Sequence, residues 1–272
     1  MTGQPLVTVV VPTRNAGRTL AACLRSVRAQ TYPDVELVVV DNESADDTWR
    51  IARTLAHRVE RCGPERSAQR NHGWRTGRGD LVAFIDADMV LEPIVVAEAV
   101  AAFRADPEIG ALVIPERAFG VGYLACCRVL EKRLYESDER AEAARVFRRA
   151  VLAELGGFAE HITGFEDWEL TDRLLRDGRR IGRVTAPVWH DEGRISLRRA
   201  FVKKRYYGQW LPTYRRQVGA ATQRRRSMPA AFGHPLLLAR SPHRAAGLLL
   251  LKSVEWTGIA VGAYAARQAG RR

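Results

Sequence analysis

Two aspartates separated by a single alanine, Asp86-Ala87-Asp88, and a later pair of acids, Glu166-Asp167, are the side chains in this sequence best suited to chemistry. Carboxylates spaced as Asp-x-Asp offer hard oxygen ligands to a divalent cation, and a carboxylate within reach of a hydroxyl can remove its proton. Five consecutive apolar residues, Leu81 to Ile85, precede the first pair and predict a strand buried on both faces. In open α/β sheets ligands bind at the carboxyl ends of strands, so Asp86 and Asp88 stand where a metal ion could be held. The same acids would equally cap the helix that Pro93 begins. Glu166 and Asp167 open an amphipathic helix with Leu170, Leu174 and Leu175 on one face, where the macrodipole alone favours acids by ~0.3–1 kcal/mol.

The elements that would position these acids follow from hydrophobic patterning. Leu6 to Val11 and Val35 to Val40 read as buried parallel strands, and a helix between them carries Leu20, Cys23, Leu24 and Val27 on one face. Further helices are predicted from about Asp46 to His57 and at the end of the polar segment 63–78, with a short strand over Val59 to Arg61. Strand and helix alternate, and the strands end in polar groups, which is the pattern of a doubly wound α/β sheet. Neither a Gly-x-Gly-x-x-Gly nor a Walker loop follows the first strand. Downstream, the pattern predicts a helix over Pro93 to Ala105, a strand over Ile109 to Ile114 and one long helix over Gly122 to Ala144. A last strand is predicted over Arg183 to Trp189, ending in His190-Asp191-Glu192.

The chain has 272 residues, 46% of them hydrophobic, and a net charge of +12. That charge is local. Thirteen Lys or Arg and no acid lie between Arg194 and Arg244, four basic residues stand against one acidic beyond, and the first 192 residues are left at −4. We therefore divide the chain at 1–192 and 193–272, and expect an anionic partner for the second part. Cys23, Cys62, Cys126 and Cys127 show no metal-binding spacing and read as free thiols. The N-terminus enters a strand without the features of a leader, which predicts a cytoplasmic protein.

Four blocks in order resemble the inverting glycosyltransferases of family 2, which have the GT-A fold and use nucleotide-diphosphate sugars. They are Val9-Val10-Val11-Pro12-Thr13-Arg14-Asn15, Val39-Val40-Asp41-Asn42-Glu43-Ser44-Ala45-Asp46-Asp47-Thr48, Arg70-Asn71 with Phe84-Ile85-Asp86-Ala87-Asp88, and Gly164-Phe165-Glu166-Asp167-Trp168. The likeness spans roughly residues 6–192. It implies a mixed, mostly parallel GT-A sheet flanked by helices, and a donor site in which Pro12, Thr13 and Asp41 meet the nucleoside. It further implies that Asp88 binds Mn²⁺ or Mg²⁺, that Asp86 lies nearer the nucleotide, and that Asp167, with Glu166 as the second choice, is the catalytic base. His190 matches a position where some members add a metal ligand; otherwise it is a hydrogen-bonded histidine at a strand end. Arg66 and Arg70 could reach base or phosphate, or be solvated helix residues. One departure stands out: where the family usually reads Asp-Asp-Gly-Ser, this chain has Asp41-Asn42-Glu43-Ser44.

The basic extension mixes Phe201, Tyr206, Tyr207, Trp210 and Tyr214 with Arg and Lys. This composition suits an anionic membrane surface, and also RNA, but no RNA-binding signature accompanies it, so we expect no nucleic acid partner. The apolar stretch 245–266 is long enough to span a bilayer. Lys252 and Glu255 near its middle would each cost ~2.5–3.5 kcal/mol there, so it reads as an in-plane or packed helix. The chain is thus expected on the inner membrane face, acting on a glycan or lipid-linked acceptor. The alternatives are a sugar-phosphate nucleotidyltransferase, which would want a Gly-rich basic loop after the first strand, and a non-catalytic nucleotide-sugar-binding or scaffold protein.

Overall fold

The computed structural model describes residues 3–136, 142–218 and 235–269. In chain order the elements are β1 (Val7–Thr13), α1 (Leu20–Arg28), β2 (Val35–Asp41), α2 (Thr48–Leu55), β3 (Arg58–Arg61), α3 (Arg66–Thr76), β4 (Leu81–Phe84), β5 (Met89–Leu91), α4 (Val95–Ala105), β6 (Ile109–Val113) and β7 (Glu116–Phe119). There follow α5 (Tyr123–Tyr135), β8 (Val146–Arg148), α6 (Arg149–Leu155), α7 (Glu166–Arg176), β9 (Arg180–Arg183), β10 (Val188–Asp191), α8 (Leu197–Gly208), α9 (Leu211–Gln217), α10 (Pro235–Ala239) and α11 (Pro242–Ala269). The chain divides into two compact units. The first runs to Glu116 and adds Ala143–Glu160 and Leu170–His190; the second comprises Arg117–Glu142, His161–Glu169 and everything from Asp191.

The first unit is built on a seven-stranded mixed sheet in the order β3-β2-β1-β4-β8-β6-β9. β1 pairs in parallel with both β2 and β4, while β8 is antiparallel to β4 and to β6. The runs of valine in β1 and β2 are continuous because both faces of the sheet are covered, as residues alternate between faces. Val9, Val11 and Val39 join one core with Leu20 and Leu24 of α1; Val10, Val38 and Val40 join the other with Trp74, Phe84 and Phe147. Phe84 makes edge-to-face contacts with Phe147 and Phe158, at centroid distances of 5.9 and 4.8 Å. The path β1 to β2 to β3 moves outward on one side of β1, and β4 returns to its other side. The carboxyl ends of β1 and β4 therefore flank a topological switch point, the place where such sheets bind ligands.

Besides β5, β7 and α6, which the sequence reading did not contain, three elements differ from it. The helix expected over Gly122 to Ala144 is α5 alone, ending at Tyr135; residues 137–141 lie outside the described residues, and Val146 already belongs to a strand. β8 escaped pattern reading because it offers three residues inside a basic run, Arg145 to Arg149, and its register comes from neighbours distant in sequence. The last predicted strand is two strands, β9 pairing with β6 and β10 pairing antiparallel with β5.

The second unit is helical at its centre. Gly258 and Gly262 of α11 let its backbone close on α8: a Cβ at Gly262 would lie 2.1 Å from the Arg205 carbonyl oxygen and one at Gly258 2.7 Å from that of Phe201. Gly208 of α8 is matched in return against Ile259. Small residues four apart are the device by which two helices approach backbone to backbone. On the α5 side, Arg128 pairs with Glu131 and Glu255, and Lys252 Nζ lies 2.8 Å from Glu131 and 3.0 Å from Glu255. Lys252 and Glu255 do pair, as the sequence suggested, but within a larger cluster that α5 completes and Glu192 joins through Arg128. Among the described residues α11 is the one helix long and apolar enough to cross a membrane by length and composition, with a third of its apolar window buried.

The α8–α11 contact predicts that Gly262→Leu lowers the melting temperature of the protein by several degrees, because the side chain has no room against the Arg205 carbonyl; differential scanning calorimetry checks this. Burial alone would raise the pKa of Glu255, but Arg128, Lys252 and Lys204 bring it down to about 2. A depressed carboxyl stabilises the fold above its ordinary pKa and ceases to do so as pH falls through the depressed value. Thermal stability should therefore drop between about pH 4.5 and about pH 2, and Glu255→Gln should flatten that slope in a melting series.

Candidate active site

The carboxyl ends of β1, β2 and β4 each deliver a polar group. Thr13 closes β1 in register with Asp41 of β2, and its hydroxyl donates to Asp41 Oδ1 over 2.9 Å. Ser44 donates to the same carboxylate through its backbone N–H (3.0 Å) and its hydroxyl (2.5 Å). Gln69 of α3 spans the two strands, donating to the carbonyls of Thr13 and Val40. Asp41 is thus buried and organises the loop after β2. In that loop Glu43 adopts φ +49, a left-handed conformation that glycine reaches at little cost. The unusual residue of the second block therefore occupies the position whose backbone explains a glycine. Pro12 lies one residue earlier in β1, paired with Val40.

Asp86 follows β4 and is bound by arginines. Arg70 of α3, 1% exposed, places Nη2 2.9 Å from Asp86 Oδ1, with its guanidinium carbon 5.2 Å from the Phe158 ring centre. Arg145, immediately before β8, places Nη1 3.4 Å from Asp86 Oδ2. Antiparallel pairing of β8 with β4 puts Arg145 there, since the start of one strand lies beside the end of the other; the Phe84 N–H donates to the Arg145 carbonyl. Burial would raise the Asp86 pKa, but Arg70, then Arg145, Arg66 and His190, hold it well below the usual carboxylate range. Arg70 is accordingly no solvated helix residue, and Arg66, at the first turn of α3, adds its charge to the same field.

Asp88 meets a different partner. β10 pairs with β5 so that His190 is opposite Met89, and His190 Nε2 lies 3.2 Å from Asp88 Oδ2. The other ring nitrogen, Nδ1, lies 2.7 Å from Glu116 Oε1, and Glu116 Oε2 in turn accepts from Arg145 at 3.2 Å. Burial would lower the His190 pKa; the hydrogen bonds and charges of Asp88 and Glu116 raise it to about 10. One chain of ionic contacts, Arg70–Asp86–Arg145–Glu116–His190–Asp88, joins the two acids of the Asp-x-Asp. Glu116 and Arg145 were missed in the sequence. Glu116 carried a usable signal, an acid just past an apolar strand, as at Asp41 and Asp86.

Among the described residues no group of three or more His, Cys, Asp or Glu side chains is arranged to hold a metal ion. Asp88 and His190 supply two donors, 3.2 Å apart, about the separation of neighbouring ligands on one divalent ion. A carboxylate on the far nitrogen of a ligating histidine is the common outer-shell arrangement. The donor set fits an ion that takes its remaining ligands from phosphate oxygens and water, with Asp86 committed to arginines instead.

The acids of α7 begin in the second unit. Glu166 is buried and accepts from the backbone N–H of Gly164, whereas Asp167 is half-buried. Gly164, at φ +85, lies under the Tyr207 ring, and Phe165 stacks on Tyr214 with centroids 5.1 Å apart. Tyr207 and Tyr214, read from sequence as membrane-facing aromatics, instead pack against the backbone and ring that precede Glu166.

A family model described as Glycosyl transferase family 2 matches residues 8–125. The O-antigen biosynthesis protein RfbC of Myxococcus xanthus is 32% identical over 200 residues, covering 69% of this chain and 16% of that protein. The O-antigen chain rhamnosyltransferase WbaN of Salmonella anatum is 26% identical over 65% of this chain and 63% of its own length, so the chain spans less than two thirds of either relative. Among solved structures, mannosyltransferase PcManGT from Pyrobaculum calidifontis, in complex with GDP-Man and Mn²⁺, superposes with a TM-score of 0.60 at 24% identity, covering 97% of this chain and 88% of that one. The shared architecture is the GT-A fold.

The ionic chain predicts a graded response at Glu116. Glu116→Ala should weaken Mn²⁺ binding about 10–100-fold, the usual loss when an outer-shell partner is removed. Glu116→Gln, which still accepts from Nδ1, should lose less; titration of Mn²⁺ by electron paramagnetic resonance measures both.

Proposed function

We propose that the chain, whose residues 8–125 match glycosyl transferase family 2, is a glycosyltransferase that moves a sugar, with inversion and with the help of a divalent ion, from a nucleotide-diphosphate sugar to the hydroxyl of a cell-envelope acceptor. The observation that carries this reading is the pairing of Asp88 with His190 at 3.2 Å, oriented by Glu116, beside an Asp86 already neutralised by arginine. Asp88 and His190 are the residues that would hold the ion, Mn²⁺ or Mg²⁺. Once bound, it supplies positive charge where the diphosphate leaving group gathers negative charge. Pro12, Thr13 and Asp41 receive the nucleoside side of the donor, with the Asp41 carboxylate fixing the loop that forms the pocket wall. Arg66 and Arg70 keep the neighbourhood of Asp86 positive toward phosphate.

Asp167 takes the proton of the acceptor hydroxyl as that oxygen bonds to the anomeric carbon and the bond from carbon to the diphosphate oxygen breaks. The choice over Glu166 is supported by exposure: Glu166 is buried on the Gly164 N–H, while Asp167 is half-buried. One base and one leaving group give a single displacement, in contrast to the paired carboxylates of glycosidases. A relative named for O-antigen biosynthesis and another named as an O-antigen chain rhamnosyltransferase support a cell-envelope glycan as acceptor. The basic extension supports action at the inner membrane face. A nucleotidyltransferase is disfavoured because Pro12-Thr13-Arg14-Asn15 provides no Gly-rich loop after β1.

Hydrolysis of a panel of nucleotide sugars with and without Mn²⁺ tests the class; no turnover of any donor would remove the enzymatic reading. Asp167→Asn should lower transfer by about 10²–10⁴-fold while donor affinity stays unchanged, and normal turnover in that variant would take the base assignment away.

A further inference from the structure

The middle of α11 carries its charges inside. Of its four charged residues, Arg244 and Arg267 near the ends are exposed, while Lys252 and Glu255 are turned inward to Arg128 and Glu131 of α5. Its exposed side chains include Leu249, Leu250, Trp256, Val261 and Tyr264, with Leu249 and Tyr264 about two-thirds exposed. A helix packed on a water-soluble domain has the opposite pattern. Contiguous exposed apolar surface of this kind marks a contact with lipid or with another protein.

Beside this face, between α9 and α11, runs a groove of about 570 Å³. Trp256, Ile259, Ala263 and Tyr264 give it apolar walls, and its charged lining residues are two arginines, Arg215 and Arg267. No acid lines it. The combination selects among occupants. A second copy meeting this face about a two-fold axis would bring like arginines together without a compensating acid, which is unfavourable. A nucleic acid would leave the apolar walls unused. A lipid satisfies both parts: its chain covers the walls and its phosphate meets the guanidinium groups, while Trp and Tyr take the interfacial depth they favour.

We propose that the α9–α11 groove seats one hydrocarbon chain of an anionic, phosphate-bearing membrane lipid, with the phosphate on Arg215 and Arg267. The proposal rests on the reading of a membrane-facing glycosyltransferase and gives that reading its contact surface. The inward charges fit the same role, since Lys252 and Glu255 pair with each other and with α5, which lets the middle of the helix approach hydrocarbon without presenting a bare charge to it.

The test is co-sedimentation of the full chain with vesicles of phosphatidylcholine, with and without phosphatidylglycerol. The wild-type protein should bind the phosphatidylglycerol vesicles. Trp256→Ser with Tyr264→Ser should reduce partitioning about tenfold, and Arg215→Gln and Arg267→Gln should each reduce it about fivefold on anionic vesicles only. Phosphatidylglycerol with brominated chains should quench fluorescence in the wild type, and Trp256→Phe should bind the vesicles yet lose that quenching. Equal binding by all variants, or quenching that persists in Trp256→Phe, would overturn the seat and leave membrane association to another surface. A concentration-dependent dimer in the absence of vesicles, lost in Trp256→Ser, would overturn it in favour of a second copy. Donor hydrolysis is measured on the same preparations: failure of vesicle binding with hydrolysis intact defeats the lipid seat alone, and failure of hydrolysis with binding intact defeats the enzymatic reading alone.

Discussion

The strand ends of the first unit answer to one electrostatic problem, which is how to keep carboxylates close together. The solution is ownership. Asp86 belongs to Arg70 and Arg145, Asp88 to His190, and Glu116 ties the two sets together by accepting from both Arg145 and His190. Because these partners come from α3, β7, β10 and the residue before β8, the site cannot form until those strands have found their neighbours. Strand pairing and charge pairing thus specify each other, and a slip of register in β8 or β10 would unmake the site along with the core.

Much of this was legible in the sequence because buried parallel strands announce themselves. The valine runs of β1 and β2, and the apolar run before Asp86, place three carboxyl ends and hence Thr13, Asp41 and Asp86 with little ambiguity. His190 could be set at a strand end, though its facing of Asp88 depends on pairing between β10 and β5, which no local pattern encodes. Arg145 was invisible for the same reason, and Glu116 offered only its place just past an apolar strand: the meaning of each depends on what the fold brings opposite. Arg70 illustrates a further limit. A helix written Arg-Ser-Ala-Gln-Arg-Asn-His looks solvated, yet Ser67, Gln69, Arg70 and Asn71 are all buried, because their polar groups are spent on strand ends and on the loop around Phe158.

The second unit shows the reverse failure of pattern reading. Its aromatics looked uniform, and the structure sorts them: Tyr207 and Tyr214 hold the segment before Glu166, while Trp256 and Tyr264 are left outward. Its charges also looked uniform. Burial lowers the pKa of Lys204 to about 8 despite the nearby Glu255, so the basic run is no simple solvated face. A periodicity argument assumes that polar means outside, and α11 breaks that assumption by neutralising its ions internally.

The place of β8 in the sheet has a consequence for synthesis. β6 leaves the ribosome before β8, but β6 reaches β4 only through β8, which lies between them. Until residue 148 has emerged, the nascent chain carries an unpaired edge on β4 and both edges of β6, one of which waits further for β9. The parallel half formed by β1, β2, β3 and β4 can assemble on its own schedule; the other half must wait for three residues. The two halves of the sheet are therefore joined late in synthesis, after α5 has been made.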